Sequence, residues 1–119
     1  MRSSIALLIA SASAAVLIAT PARAYDFRQL VKYSHQEYPT SSDFCDAWDT
    51  ACKEYVPKDQ SLKYGYSVCE PGDYHGKHAK TEAKVACVFL HNGDEHEPQS
   101  INHHIAAKVH ATYLSDNDA

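Results

Sequence analysis

The chain has 119 residues, with 11 Lys plus Arg against 15 Asp plus Glu and a formal charge of −4 at neutral pH. A chain of that size builds one small hydrophobic core, and its acidic balance argues against nonspecific binding to nucleic acid or to an anionic membrane. Four cysteines and eight histidines are the side chains left to explain.

Residues 1–24 read as a secretory signal: Arg2 at the positive start, an apolar stretch from Ile5 to Ile18, and Ala22-Arg23-Ala24 as a small-x-small cleavage site. The apolar stretch is shorter than the roughly 20 residues a membrane span needs, and no later segment is apolar enough. The expectation is therefore a single small secreted domain over residues 25–119, extracellular and without a span after cleavage. Loss of Arg2 and Arg23 leaves 11 − 2 = 9 basic against 15 acidic residues, a charge of −6. All eight histidines remain, so full protonation would give 9 + 8 − 15 = +2, a reversal of sign centred near a histidine pKa of about 6.5.

Tyr25 to His35 alternates in the manner of a strand, and Tyr38-Pro39 breaks it. Thr40 to Val56 then reads as one amphipathic helix. Ser41 or Ser42 offers an N-cap oxygen, Asp43 a carboxylate in the first turn, and Pro57 a stop. Phe44, Trp48, Ala51, Cys52 and Tyr55 form its apolar stripe, which makes Trp48 the expected centre of the core. Asp49 precedes Lys53 by four residues, the favourable order for an ion pair of about 0.3 to 0.5 kcal/mol.

Leu62 to Cys69 alternates as a strand and carries a conflict. If Cys69 faces the helix, a regular strand turns Tyr64, Tyr66 and Val68 away from it. Either a bulge or the strand end re-aims Cys69, which is the preferred reading, or the tyrosines form an exposed stripe. Pro71 to Gly76 is a turn-rich loop, Glu82 to His91 the most strand-like segment and central in the sheet, and Asn92-Gly93 a turn. Asp94 to Asn102 reads as a surface loop. His104 to Leu114 reads as a last strand, with a helix as the alternative, and Ser115 to Ala119 as a frayed end. The fold class is α+β: one helix packed on a three- to four-stranded antiparallel sheet.

Four cysteines in a small exported domain imply two disulfides. Cys45 and Cys52 lie about 10.5 Å apart along a helix, beyond the roughly 7 Å that a bridge tolerates. Each must therefore join Cys69 or Cys87. Two pairings stay open, with Cys45–Cys87 and Cys52–Cys69 the favoured one.

Histidine is the enriched functional side chain. His75, His78 and His96 sit in loops beside carboxylates, and imidazole suits zinc, copper or nickel. No H-E-x-x-H and no paired C-x2-C occurs, so solvated loop histidines are the plainer reading and nothing calls for a cofactor. A hydrolase of ribonuclease type would draw a base and an acid from Glu70, Glu82, His91 and His104. Arg28 is then the one arginine of residues 25–119 available to phosphate, and no catalytic residue is assigned. Tyr64, Tyr66 and Tyr74 are the candidate contacts for a protein partner.

The segment Phe44-Cys45-Asp46-Ala47-Trp48-Asp49-Thr50-Ala51-Cys52, with the signal and the four cysteines, resembles small secreted fungal proteins of the effector-like kind, many of which carry a Cys-x2-Trp-x3-Cys helix. The resemblance covers that motif and the overall organisation. It implies a protein that acts by binding outside the producing cell, on a protein of a host or competitor, and it transfers no functional residue. The expected function is a secreted, disulfide-stabilised binding module, with the hydrolase and a histidine-based metal binder as rivals.

Overall fold

The structure, a computed structural model, describes residues 26–114; the expected signal, Tyr25 and the last five residues lie outside that range. The element order is β1 (Gln29–Lys32), α1 (Ser41–Glu54), β2 (Leu62–Pro71), β3 (Glu82–His91), β4 (Pro98–Ser100), α2 (Asn102–Lys108) and β5 (Thr112–Tyr113). All strand pairs are antiparallel, in the order β2-β3-β1-β5, with the short β4 also paired to β3. The α+β class stands, with a second short helix and a five-stranded sheet.

Helix α1 starts one residue earlier than its serines suggested. The N-cap is Thr40, whose hydroxyl accepts from the Asp43 amide at 3.0 Å, and Ser41 opens the helix proper. At the other end Tyr55 is already extended, as the residues leading into Pro57 must be. Phe44, Trp48 and Cys52 are fully buried, and Tyr33 stacks on Phe44 at 4.0 Å between centroids. The expected Asp49–Lys53 pair forms at 3.0 Å. Asp49 also accepts from Ser67 of β2, and that bond, ahead of Lys53, holds its carboxyl below the usual range.

Cys69 is re-aimed by a bulge. The β2–β3 register slips between Tyr64 and Tyr66, where Gly65 is the extra residue. A Cβ at Gly65 would lie 2.8 Å from the Val88 carbonyl oxygen, so the backbone approach there excludes any side chain. Before the slip Leu62 and Tyr64 face the helices; after it Ser67 and Cys69 do, opposite Cys87 and Val85. Tyr66 and Val68 turn to the helix-free side. The two tyrosines therefore do not form one stripe.

Both disulfides tie α1 to the sheet, but with the partners exchanged relative to the favoured pairing. Cys45 joins Cys69 and Cys52 joins Cys87, with Cα separations of 5.4 and 5.7 Å. The connector between α1 and β2 is short, so the helix runs antiparallel to β2. Its N-terminal half then lies over the end of β2, and its last turn over the level of Ser67, whose neighbour on β3 is Cys87.

The stretch expected as a last strand begins as helix, through Lys108. Ile105, Ala106 and Val109 join the core beneath α1, and only Thr112–Tyr113 pairs with β1. The expected loop 94–102 contains β4. Asn92 and Gly93 both have positive φ (54° and 75°), and the Asp94 amide bonds the His91 carbonyl at 2.9 Å, closing the turn between β3 and β4.

Beta1 and β4 share one edge of β3 and leave a gap at Cys87. Asn102, 1 % exposed, fills it: its Oδ1 accepts from the Cys87 amide at 2.7 Å, while its Nδ2 donates to the Phe27 carbonyl (2.8 Å) and to Gln29 Oε1 (2.9 Å). Replacing Asn102 with Ala orphans a buried amide in the central strand. The expected loss is about 2 to 3 kcal/mol in chemical denaturation, with the Cys87 amide losing hydrogen-exchange protection.

Candidate functional site

The helices cover one face of the sheet. The other face carries Arg28 and Leu30 from β1 and its approach, Tyr66, Val68 and Glu70 from β2, and Glu82, Lys84, Ala86 and Val88 from β3, as the registers require. Leu30, Ala86 and Val88 are buried, giving this side a small apolar layer of its own. Around it lies a charged and aromatic rim.

Arg28 organises that rim. Its guanidinium binds Asp26 at 2.9 Å and Glu70 at 2.7 Å, which raises its own pKa and holds Asp26 below the usual carboxylate range. Tyr74 lies in the loop between β2 and β3. It folds back on the sheet, with the Arg28 guanidinium 5.6 Å and the Lys84 ammonium 5.8 Å from its ring centroid. Its hydroxyl donates to the Arg28 carbonyl at 3.4 Å. Lys84 in turn donates to the carbonyls of Pro71 (3.4 Å), Gly72 (2.8 Å) and Asp73 (2.9 Å), so the β2–β3 loop is pinned to the sheet just ahead of Tyr74. Tyr66 is 42 % exposed on this same face; its phenol pKa is raised by burial first and by Asp26 second. A shallow groove of about 560 Å³ is lined by Asp26, Arg28, Tyr74, Ser100 and His103.

Tyr64, 39 % exposed, belongs to the opposite face and packs edge-on against Phe89 at 5.9 Å. Of the three tyrosines named from sequence, the structure brings Tyr66 and Tyr74 to one face and leaves Tyr64 on the other. Arg28 and Lys84 are the residues that sequence reading passed over as partners of Tyr74. The cross-strand pairing of Glu70 with Lys84 is the geometric link, and it needed the bulge to be placed first.

The loop histidines separate in the same way. His75 and His78 lie in the loop between β2 and β3, whereas His96 lies beyond the far end of β3. A strand of ten residues spans about 30 Å, so these three share no site. His96 pairs with Asp94 at 3.2 Å. His78 instead meets two carboxylates: its Nδ1 is 3.0 Å from Asp73 Oδ2 and 3.9 Å from Glu82 Oε2. Only this group of three could hold a metal ion among the described residues.

Asp73 is the most perturbed carboxyl of the loop. Its Oδ1 accepts from the amides of His75 and Lys77, both at 2.8 Å, and these bonds with His78 lower its pKa to about 2. Because the folded value lies below the ordinary 3.8, the carboxylate's stabilisation is complete above that pH and is lost as pH falls toward 2. Comparing the acid limb of wild type with Asp73→Asn checks this: the wild-type advantage shrinks over that window and vanishes below it.

The four residues considered for a hydrolase do not converge. Glu70 is held by Arg28, Glu82 faces His78, His91 bonds Gln99 at the other end of β3, and His104 packs against Tyr55 on the helix side. Among the described residues no helix is long and apolar enough to cross a membrane. Comparison with family models, with curated proteins and with solved structures finds no match to this chain.

Proposed function

We propose that this protein is a secreted, disulfide-stabilised binding module, effector-like in acting outside the cell that makes it, which engages a protein partner through the helix-free face around Tyr66. The observation that carries this reading is the part-exposed Tyr66 on the same sheet face as the Tyr74–Arg28–Lys84 cluster, in a sheet tied to its helix by two disulfides. Tyr and Arg are the side chains that dominate interface energetics, and a fixed platform loses little conformational entropy on docking. The cations here are already occupied. Arg28 is bound to two carboxylates and Lys84 to three carbonyls, which fits recognition better than neutralisation of a phosphate in a reaction. The disulfides support the extracellular part of the reading, because such bridges persist in oxidising compartments.

The test is capture of surface and secreted proteins of a host or competitor on the immobilised domain, followed by measured affinity for the protein captured. Tyr66→Ala should weaken that affinity by about 2 kcal/mol, roughly thirtyfold. Val56, 85 % exposed in the connector after α1, is the control position, and Val56→Ala should leave affinity unchanged. Equal losses at both positions, or none at Tyr66, would discard this face. Repeating the measurement at about pH 5 and about pH 7.5 asks whether the histidine charge reversal takes part.

A further inference from the structure

The Asp73–His78–Glu82 cluster lies at the end of the sheet, and nothing in the binding reading uses it. Its three donor atoms lie within 4.8 Å of one another. A tetrahedral ion with bonds of about 2.0 to 2.2 Å separates neighbouring donors by about 3.3 to 3.6 Å. The observed 3.0 Å from His78 to Asp73 and 3.9 Å from His78 to Glu82 bracket that spacing, and the Asp73 and Glu82 oxygens lie within 4.8 Å of each other.

The surroundings differ from those of carboxylates scattered on a surface. The Asp73 and Glu82 side chains are only 13 % and 17 % exposed, whereas His78 is 59 % exposed. Two anions are thus sheltered side by side, with the imidazole closing the open side. Asp73 divides its oxygens: Oδ1 is used by the loop amides, and Oδ2 is left for the cluster. The His78 contact at 3.9 Å is the one polar contact of the Glu82 carboxylate among the described residues. The loop is fixed from outside the cluster as well. Lys84 holds the Gly72 and Asp73 carbonyls, the Gly72 amide bonds the Glu82 carbonyl at 2.7 Å, and the Glu82 amide bonds the His78 carbonyl at 2.8 Å. Supporting bonds of this kind orient metal ligands and keep them from collapsing onto solvent.

We propose that Asp73 Oδ2, His78 Nδ1 and Glu82 Oε2 form a site for a zinc-class divalent cation, with a fourth position open to water or to a donor from a partner. One imidazole with two carboxylates suits zinc, whose geometry tolerates mixed nitrogen and oxygen donors, better than calcium, which asks for six or more oxygens. Metal ligands bind in their deprotonated forms, so protons compete with the ion and binding weakens as the medium acidifies.

Isothermal titration of the untagged protein, with its disulfides intact, against zinc chloride tests the site. One zinc per chain is expected at about pH 7.5, with weaker binding in more acidic buffer. His78→Ala and Glu82→Gln should each weaken binding by about tenfold or more, and Asp73→Asn, which keeps an oxygen for the loop amides, should do the same. His75→Ala and His96→Ala should leave it unchanged. Thermal melts of each variant in the absence of zinc separate lost binding from lost folding, since Glu82→Gln and His78→Ala should melt close to wild type. No heat at millimolar zinc, calcium bound as tightly as zinc, or loss of binding on His96→Ala but not on His78→Ala would each overturn the proposal. The outcome is independent of whether Tyr66 engages a partner.

Discussion

Trp48→Ala lowers the free energy of unfolding by about 4 kcal/mol. Trp48 is fully buried between Cys45 and Cys52 on α1, packs against Phe44 at 6.3 Å between centroids, and donates its indole N–H to the Ala86 carbonyl of β3 at 3.1 Å. Removing the ring takes away apolar burial and leaves a cavity between two elements that bridges already hold in place, so the site collapses poorly. For a domain of this size the total stability is about 5 to 13 kcal/mol, and the change removes about 30 % of it or more. Urea titration checks it as a lower midpoint at an unchanged slope. Trp48→Phe refines the result: most of the burial returns and the bond to Ala86 does not, so a loss of about 1 to 2 kcal/mol is expected.

The second large effect is loss of the Cys52–Cys87 bridge. Replacing both residues with Ala should cost about 4 to 5 kcal/mol, and replacing Cys45 and Cys69 about 3 kcal/mol. Loop closure does not make the difference. The separations are 35 and 24 residues, and the logarithm turns that ratio into only about 0.3 kcal/mol. Burial does. Cys52 and Cys87 are fully inaccessible in the core cluster, whereas Cys45 and Cys69 are partly exposed at its margin, so the inner pair also gives up packed volume. The same contrast orders their chemistry. Mild reduction should open Cys45–Cys69 first, because exchange requires a thiolate to reach a sulfur. Partial reduction, alkylation and peptide mapping would show it, and would test the pairing at the same time. Recovery of a Cys45–Cys87 peptide would contradict the antiparallel course of α1 over β2.

These two expectations stand on different amounts of sequence. Trp48 is readable as core from helical spacing alone, since Phe44, Trp48 and Cys52 return to one side every turn, and a residue so placed between two half-cystines has nowhere else to go. The bridge partners are not readable that way. Helix geometry eliminates Cys45–Cys52, but choosing between the remaining pairings requires the direction of α1 across the sheet. The brevity of the connector from Tyr55 to Ser61 held that information, and periodicity does not register it.

Local pattern alone determined where α1 and the two long strands run, that the two cysteines of the helix do not pair with each other, and that Trp48 sits at the centre. Each of these follows from the spacing of side chains along a single element. Tertiary structure decided the rest. His104 to Leu114 alternates like a strand, yet Ile105, Ala106 and Val109 gain more by packing under α1 as a helix, and β1 leaves room for only two residues of β5. The slip at Gly65 sent Tyr64 and Tyr66 to opposite faces, and the β2–β3 turn carried Asp73 and His78 up to Glu82. The physical reason is common to all of them. Hydrophobic spacing repeats within an element and is written locally, whereas a face shared by different elements depends on register and chain direction, which a few residues of connector length or one inserted glycine are enough to change.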